Sequence, residues 1–262
     1  MSQLASAPRI ASLVPSVTEL LAVMGLAPWL VARTGYCIHP AELVATVPKV
    51  GGTKDVNLAK LRKLAPTHVW VNVDENRRDT VEALRALVPR VMVTHPCDPL
   101  DSLALIDMVN AEHGQLPGVP QRAAALSAEL QAEWDAPWAR PPSPRKVLYL
   151  IWREPWMTVA RDTYISRLLA VAGWHTLPEL QGGDSGAARY PLVKGDEPWL
   201  MQVQQVLLSS EPYRFGAQHV ALAQALCPNA QVHCVDGELL SWYGARTAAG
   251  LRYARVLAGK HQ

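Results

Sequence analysis

Residues 9–26 read RIASLVPSVTELLAVMGL, and residues 146–173 read KVLYLIWREPWMTVARDTYISRLLAVAG. In both, an apolar run stops at a turn holding proline with polar or aromatic residues, and an amphipathic helical pattern follows. Strand, turn and helix in that order open a parallel α/β unit. Two such openings, with a long helical stretch between them, predict two similar lobes facing one another across a ligand cleft.

The pattern extends outward from these openings. Strand Ile10 to Val14 runs into Pro15, and Ser16 with Glu19 spells an S-x-x-E capping box for a helix that Gly25 ends. Leu30 to Tyr36 reads as a strand, and Asn57 as the cap of a helix over Leu58 to Leu64. The β-branched run Thr67 to Val73 is a buried strand, followed by helix Glu75 to Leu87, strand Arg90 to Thr94 and helix Leu100 to His113. The Ala-, Leu- and Glu-rich segment Val119 to Trp134 favours one long helix, and the proline-rich APWARPPSPR at 136–145 breaks it. Beyond lie strand Lys146 to Trp152, helix Thr163 to Ala172, strand Gln205 to Leu208, helix Gly216 to Leu226, strand Ala230 to Val235 and a closing helix over Tyr243 to Leu257. The fold class is therefore α/β, two Rossmann-like parallel-sheet lobes joined by a single long linker helix. The first lobe is expected over 1–115, the linker and proline-rich break over 116–144, and the second lobe over 145–262. The Gly-rich stretch Gln181 to Tyr190 reads as a mobile loop at the cleft.

Composition narrows the function. A net charge of +2 predicts no strong non-specific attraction to nucleic acid or anionic membrane. Nine Trp and seven Tyr stand against one Phe, a skew toward aromatics with a polar tip. Such rings suit half-buried, ligand-facing surfaces as well as a Trp-rich core. Cys37, Cys97, Cys227 and Cys234 show no CxxC spacing and read as free thiols. No run is apolar enough to span a bilayer, and Leu13 to Val31 is interrupted by Pro15 and Glu19, so the expected location is cytoplasmic.

Several clusters carry chemistry. WREPWMTV sets Trp152, Arg153, Glu154 and Trp156 at a strand's carboxyl end, where open α/β sheets bind ligands. Paired indoles offer flat faces, and Arg153 can meet a carboxylate, amide or phosphate oxygen. The plainer reading is a tryptophan pair sealing the base of the lobe beside an Arg–Glu surface pair. SSEPYRF places Glu211, Tyr213 and Arg214 on the same rim, or else forms a capping turn with Pro212 at the first helical position. In SWYGAR, helical spacing presents Trp242, Tyr243 and Arg246 to one side. YCIHP brings Cys37 and His39 to one side of a strand end, a weak pair for a soft or borderline metal; a buried Cys beside a capped His is the alternative. DENRRD starts at the cleft, with Glu75 and Asn76 inward and Arg77 and Arg78 solvated. Phosphate-loop, dinucleotide, zincin and hydrolase motifs are missing, so no catalytic residue is assigned.

The strings SLVPSVTELLAVMGL and VGGTKDVNLAKLRKLAPTHVWVN, with the lone linker helix, resemble the helical-backbone substrate-binding proteins. The best-known members of that family capture vitamin B12, haem or ferric siderophores for import. The resemblance covers nearly the whole chain. It is nearest to the cobalamin-binding branch and to a leaderless subgroup sharing YCIHP, VGGTK, ENRRDTVEALR, WREPWMTVARDTYIS, SSEPYRF and DGELLSWYGAR. It implies that Tyr36 is a pocket aromatic, that Trp242, Tyr243 and Arg246 close over a corrin edge, and that Glu75 and Asn76 accept bonds from corrinoid amides. Pro15 and Ser16, at the family's entry turn, join the binding set. Two further pocket tryptophans of the B12 receptors are replaced by Thr53 and Asn72. Of the carboxylates with which import receptors dock on a permease, the first position is Ala59, followed by Lys60, while Asp196 or Glu197 can serve at the second.

The leading expectation is a small-molecule binding protein holding a corrinoid (cobalamin-like) or related tetrapyrrole such as haem in the cleft. The alternatives are the substrate-binding component of an ABC-type importer of a ferric siderophore or metal chelate, and an enzyme of cofactor salvage using Cys37 and His39. The partner is a small molecule, without nucleic acid or membrane insertion.

Overall fold

The computed structural model describes residues 7–137 and 143–260. They divide into two compact units. The first runs to His95 and takes in Leu103–Ala128; the second takes Pro96–Ser102 and the described chain from Glu129 onward.

In the first unit, β1 (Ile10–Ser12) leads to α1 (Pro15–Leu21), β2 (Leu30–Arg33), the single turn α2 (Ala41–Val44), α3 (Leu58–Lys63), β3 (His68–Asn72), α4 (Arg78–Leu87) and β4 (Arg90–Thr94). The strands are all parallel in the order β2-β1-β3-β4. Their apolar residues Ala11, Leu13, Val69 and Val71 form a core with Leu61 of α3 and Leu84 of α4. Helix α5 (Asp101–His113) starts in the second unit's segment and ends in the first, and α6 (Val119–Asp135) is the long helix expected from its Ala and Leu content.

The second unit repeats the plan. It contains β5 (Arg145–Leu150), β6 (Trp156–Met157), α7 (Tyr164–Val171), β7 (Trp174–Thr176), β8 (Leu192–Val193), β9 (Gln205–Ser209), α8 (Val220–Leu226), β10 (Gln231–Val235), α9 (Gly237–Ser241) and α10 (Thr247–Lys260). Its parallel sheet runs β7-β5-β9-β10, so β5 plays the part of β1, each flanked by the next long strand and the one after. The two-stranded antiparallel β6–β8 ribbon has no counterpart in the first unit. Within the stretch 136–145, residues 138–142 lie outside the described residues.

Four expectations change at this level. Ser16 and Glu19 make no capping box: Val14 is the extended N-cap, and Pro15 holds the first helical position, where its missing N–H costs nothing. Ser16 is instead buried inside the helix, its Oγ without a partner among the described residues, while Thr18 Oγ1 lies 2.8 Å from the Val14 carbonyl. Gly25 does end that helical run at φ +86°; a Cβ there would sit 2.9 Å from Arg122 Nη1. The closing helix begins at Thr247 and not at Tyr243, because Trp242–Arg246 forms a connector turned by Gly244 at φ +82°, and the short α9 precedes that connector. Pro212 lies in a loop, since the helical turn after β9 begins only at Ala217. The Gly-rich stretch is tied down rather than loose. Both carboxylate oxygens of Asp162 accept the backbone N–H groups of Gly182 and Gly183 at 2.8 Å, and buried Arg189 donates to the Gly183 carbonyl at 2.7 Å.

Candidate functional site

Parallel strands bring their carboxyl ends to one edge of each sheet, and most of the singled-out residues lie in the loops leaving those edges. The two edges are separate structures.

On the first unit the loop after β2 carries Tyr36, an aromatic ring 65% exposed. What holds it there is Arg33, a buried guanidinium that donates to the carbonyls of Val44 (2.8 Å), Thr34 (3.2 Å) and Cys37 (3.0 Å). Those bonds answer loop carbonyls that burial would otherwise leave costly. The Cys37–His39 pairing expected for a metal does not form. Cys37 is fully buried, its sulfur 3.1 Å from Thr34 Oγ1 and 3.8 Å from the Ser12 carbonyl, and burial pushes its thiol pKa up. A thiol kept protonated is a poor ligand, and His39 is half-exposed on the other side of Ile38. Among the described residues no group of three or more His, Cys, Asp or Glu is placed to hold a metal ion.

The loop after β3 is a closed network. Asn76 is buried and its amide is fully committed: Oδ1 accepts from Asn72 N–H at 2.9 Å, and Nδ2 donates to Thr53 O at 2.9 Å and Leu13 O at 3.3 Å. Asn72 Oδ1 accepts from the N–H groups of Asp74 and Glu75. Asn76 therefore acts as an internal brace, with its amide spent inside the protein, and Asn72 shapes the same turn. Glu75 and Pro15 are both half-buried. Arg77 and Arg78 are exposed as expected, paired with Asp79 and Glu82.

On the second unit the turn after β5 splits the tryptophans. Trp152 is 40% exposed and meets Tyr213 edge-on at 5.5 Å. Trp156 turns inward and stacks on Phe215 at 5.9 Å and 7° between planes, part of the core that also holds Leu208 and Val206. The two indoles do not make one platform. Arg153 and Glu154 form a surface ion pair at 2.8 Å, and Glu154 takes a left-handed φ of +64°. A shallow hollow of about 560 Å³ beside this turn is bordered by Arg153, Trp156, Lys194 and Leu222.

Three of the other candidates are brought together. Glu211 Oε1 accepts from Trp242 Nε1 at 2.5 Å and from Ser241 Oγ at 2.6 Å. The Arg246 guanidinium lies 4.8 Å over the Trp242 ring and bonds Glu238 Oε2 at 2.7 Å. Gly237 permits this approach, since a Cβ there would lie 2.3 Å from Ser209 Oγ and 2.8 Å from Glu211 N. Burial pushes the Glu211 carboxyl pKa up, against the lowering effect of its two hydrogen bonds. Trp242 and Tyr243 are 5% and 7% exposed, so they offer no open face; Tyr243 packs edge-on against Tyr164 at 5.8 Å. Tyr213 is half-buried, its hydroxyl 3.3 Å from His219 Nε2. Arg214 is exposed, with no ion pair or hydrogen bond to a described residue.

Sequence reading missed Arg33 and the Asp162–Arg189 clamp. A buried arginine has no local signature, and Asp162 reaches its partners across 20 and 21 residues. At the proposed docking positions, Ala59 and Lys60 are exposed at the start of α3, Asp196 is exposed, and the Glu197 carboxylate accepts from the N–H groups of Lys194 and Gly195.

Residues 10–188 match the model of the periplasmic binding protein family. No curated protein matches the sequence. Solved structures with the same fold include the periplasmic vitamin B12 binding protein of Vibrio cholerae, 20% identical, with 97% of each chain covered and a TM-score of 0.75. The periplasmic heme-binding protein of Roseiflexus sp. RS-1 is 20% identical over 97% of this chain and 99% of that one, with a TM-score of 0.76. The periplasmic heme binding protein of Vibrio cholerae is 24% identical over 96% and 99%, with a TM-score of 0.75. All three are binding proteins of two α/β lobes, and the family match takes in both sheets' opening strands. The chain belongs to the periplasmic binding protein family.

Proposed function

We propose that the protein binds a corrinoid, or a related tetrapyrrole such as haem, beside the carboxyl ends of its parallel strands. The observation that carries this reading is a pair of exposed aromatic faces, Tyr36 at 65% and Trp152 at 40%, each fixed by its own loop. Large exposed rings held in place are suited to stacking on a flat macrocycle. Solved structures of the same fold whose ligands are vitamin B12 and haem support it. The second reading is a receptor for a ferric siderophore or another anionic metal chelate. Arg214 favours it, as an exposed guanidinium with no carboxylate partner on the same rim.

Native mass spectrometry of the purified protein, with an absorption spectrum, names any retained ligand. Titration with cyanocobalamin and haemin should then give saturable binding in the micromolar range or tighter; no spectral or calorimetric response to either sinks the first reading. Cell fractionation adds a second line. The exposed Ala59 and Lys60, where import receptors of this family place a docking carboxylate, support a protein working inside the cell. Recovery outside the cytoplasm together with a permease favours the import receptor.

A further inference from the structure

We propose that Glu211 determines specificity at the rim of the second unit, selecting a macrocycle whose edge carries primary amides over one whose edge carries carboxylates. The inference rests on the tetrapyrrole reading and adds the chemistry of the ligand's edge to it.

The geometry separates the two oxygens of this carboxylate. Oε1 accepts from Trp242 Nε1 at 2.5 Å and lies 2.6 Å from Ser241 Oγ, whose one hydrogen is shared with the Gly237 carbonyl at 2.7 Å, so this oxygen is the anchored one. Among the described residues Oε2 has no hydrogen-bond or ion-pair partner, and it is not one of the side-chain atoms sealed from solvent. It is a spare acceptor on a half-buried side chain that is anchored through its other oxygen. The Arg246 guanidinium nearby bonds Glu238 at 2.7 Å and lies over the Trp242 ring, and its attraction for Glu211 counts for less than the burial that raises the carboxyl pKa. Trp242 is itself 5% exposed, so the residue that contacts a ligand at this place is the carboxylate, not the indole.

A fixed acceptor fits a primary amide, which supplies N–H donors. A ligand carboxylate in the same position brings two anions together, and juxtaposed like charges are how an interface rejects a wrong partner. The corrin rim carries amide side chains and the haem edge carries propionates, so cyanocobalamin and haemin are the probes.

The experiment uses the full chain at neutral pH and equilibrium titration with each probe. The wild type should bind cyanocobalamin at least tenfold more tightly than haemin. In Glu211→Gln the side-chain oxygen still serves Ser241 and Trp242 while an NH₂ group replaces Oε2. Haemin affinity should then rise at least fivefold. Cyanocobalamin should change less than threefold, because its amides can turn a carbonyl toward the new donor. Glu211→Ala, which removes the acceptor altogether, should move haemin in the same direction, and Asp107→Asn, the same charge change on exposed α5, should not. A wild type that prefers haemin, or haemin binding unmoved by both Glu211 variants, overturns the specificity role while leaving tetrapyrrole binding standing. Failure of the wild type to bind either probe overturns both.

Discussion

Asn76 directs its side-chain hydrogen bonds inward, and a single substitution there should reveal its role. Its carbonyl oxygen satisfies Asn72 N–H, and its amide nitrogen bridges Thr53 O and Leu13 O, carbonyls that lie 23 and 63 residues away. Asn76→Ala leaves a buried donor and two carbonyl acceptors without their partner, which should cost about 2–4 kcal/mol. Urea denaturation should show the midpoint falling with an unchanged slope. The folded variant should bind the wild-type ligand within about threefold; a loss of affinity without a loss of stability would restore Asn76 to the binding set. The sequence shows an amide in a polar run after a strand, which suits a ligand equally well. Only the fold brings the Leu13 and Thr53 carbonyls to it, so its structural role was not legible. Tyr36 was singled out by the family resemblance alone, which implies a pocket aromatic there; the structure leaves its ring 65% exposed.

Helix α6 is held at its carboxyl end by α10 through two arginines that differ in kind. Arg252 pairs with Glu129 at 2.8 Å and Glu133 at 3.2 Å, with about half of its side chain exposed. Arg255 is 15% exposed and donates to the carbonyls of Glu133 at 2.6 Å and Ala136 at 2.9 Å, the groups that a helix end leaves unpaired. A cation on those carbonyls also meets the negative end of the helix dipole. Arg255→Met should therefore cost about 1–2 kcal/mol, and Arg252→Met less than about 1 kcal/mol, because exposed pairs are screened. Thermal melts in 0.05 and 1 M salt check this: salt should erase the Arg252 effect and spare that of Arg255. Equal costs, or equal salt sensitivity, would contradict the assignment. At this scale the sequence speaks clearly where one local rule dominates. The β-branched 67–73 run became β3, and Asn57 caps α3 by accepting from Lys60 N–H at 2.8 Å. It misleads where apolar periodicity continues through a turn, as at Trp242 and Tyr243, whose burial belongs to a connector and not to a helix face.

For the whole molecule, the doubled strand-turn-helix opening was the deepest information in the sequence, since both sheets place their first strand second and their later strands outward. The sequence could not show which polar groups would end sealed inside, and one of these contributes to the acid stability of the chain. His113, at the end of α5, has no exposed surface and no hydrogen-bond partner on either ring nitrogen among the described residues. It lies edge-on to His68 at 5.0 Å and beside Trp70 at 6.0 Å. Burial, reinforced by His68, holds its pKa at about 4, below the ordinary imidazole value of about 6.5. His68 is also held low by burial, against the Glu112 carboxylate 3.0 Å from its Nε2. Between pH 6.5 and 4 the unfolded chain binds a proton at position 113 that the folded chain refuses. Stability is thus fully present above that window and falls as the pH drops through it, with a slope of at most about 1.4 kcal/mol per pH unit from this residue. Raised carboxyls such as Glu211 act with the opposite sign, favouring the fold as they protonate, so the His113 contribution must be read as a difference. Urea midpoints of the wild type and His113→Phe from pH 8 to 4 supply that difference. The gap between them should stay constant above pH 7 and shift in favour of the variant as the pH falls toward 4. A gap that does not change with pH would mean that protons reach His113 as readily in the folded protein as in the unfolded chain.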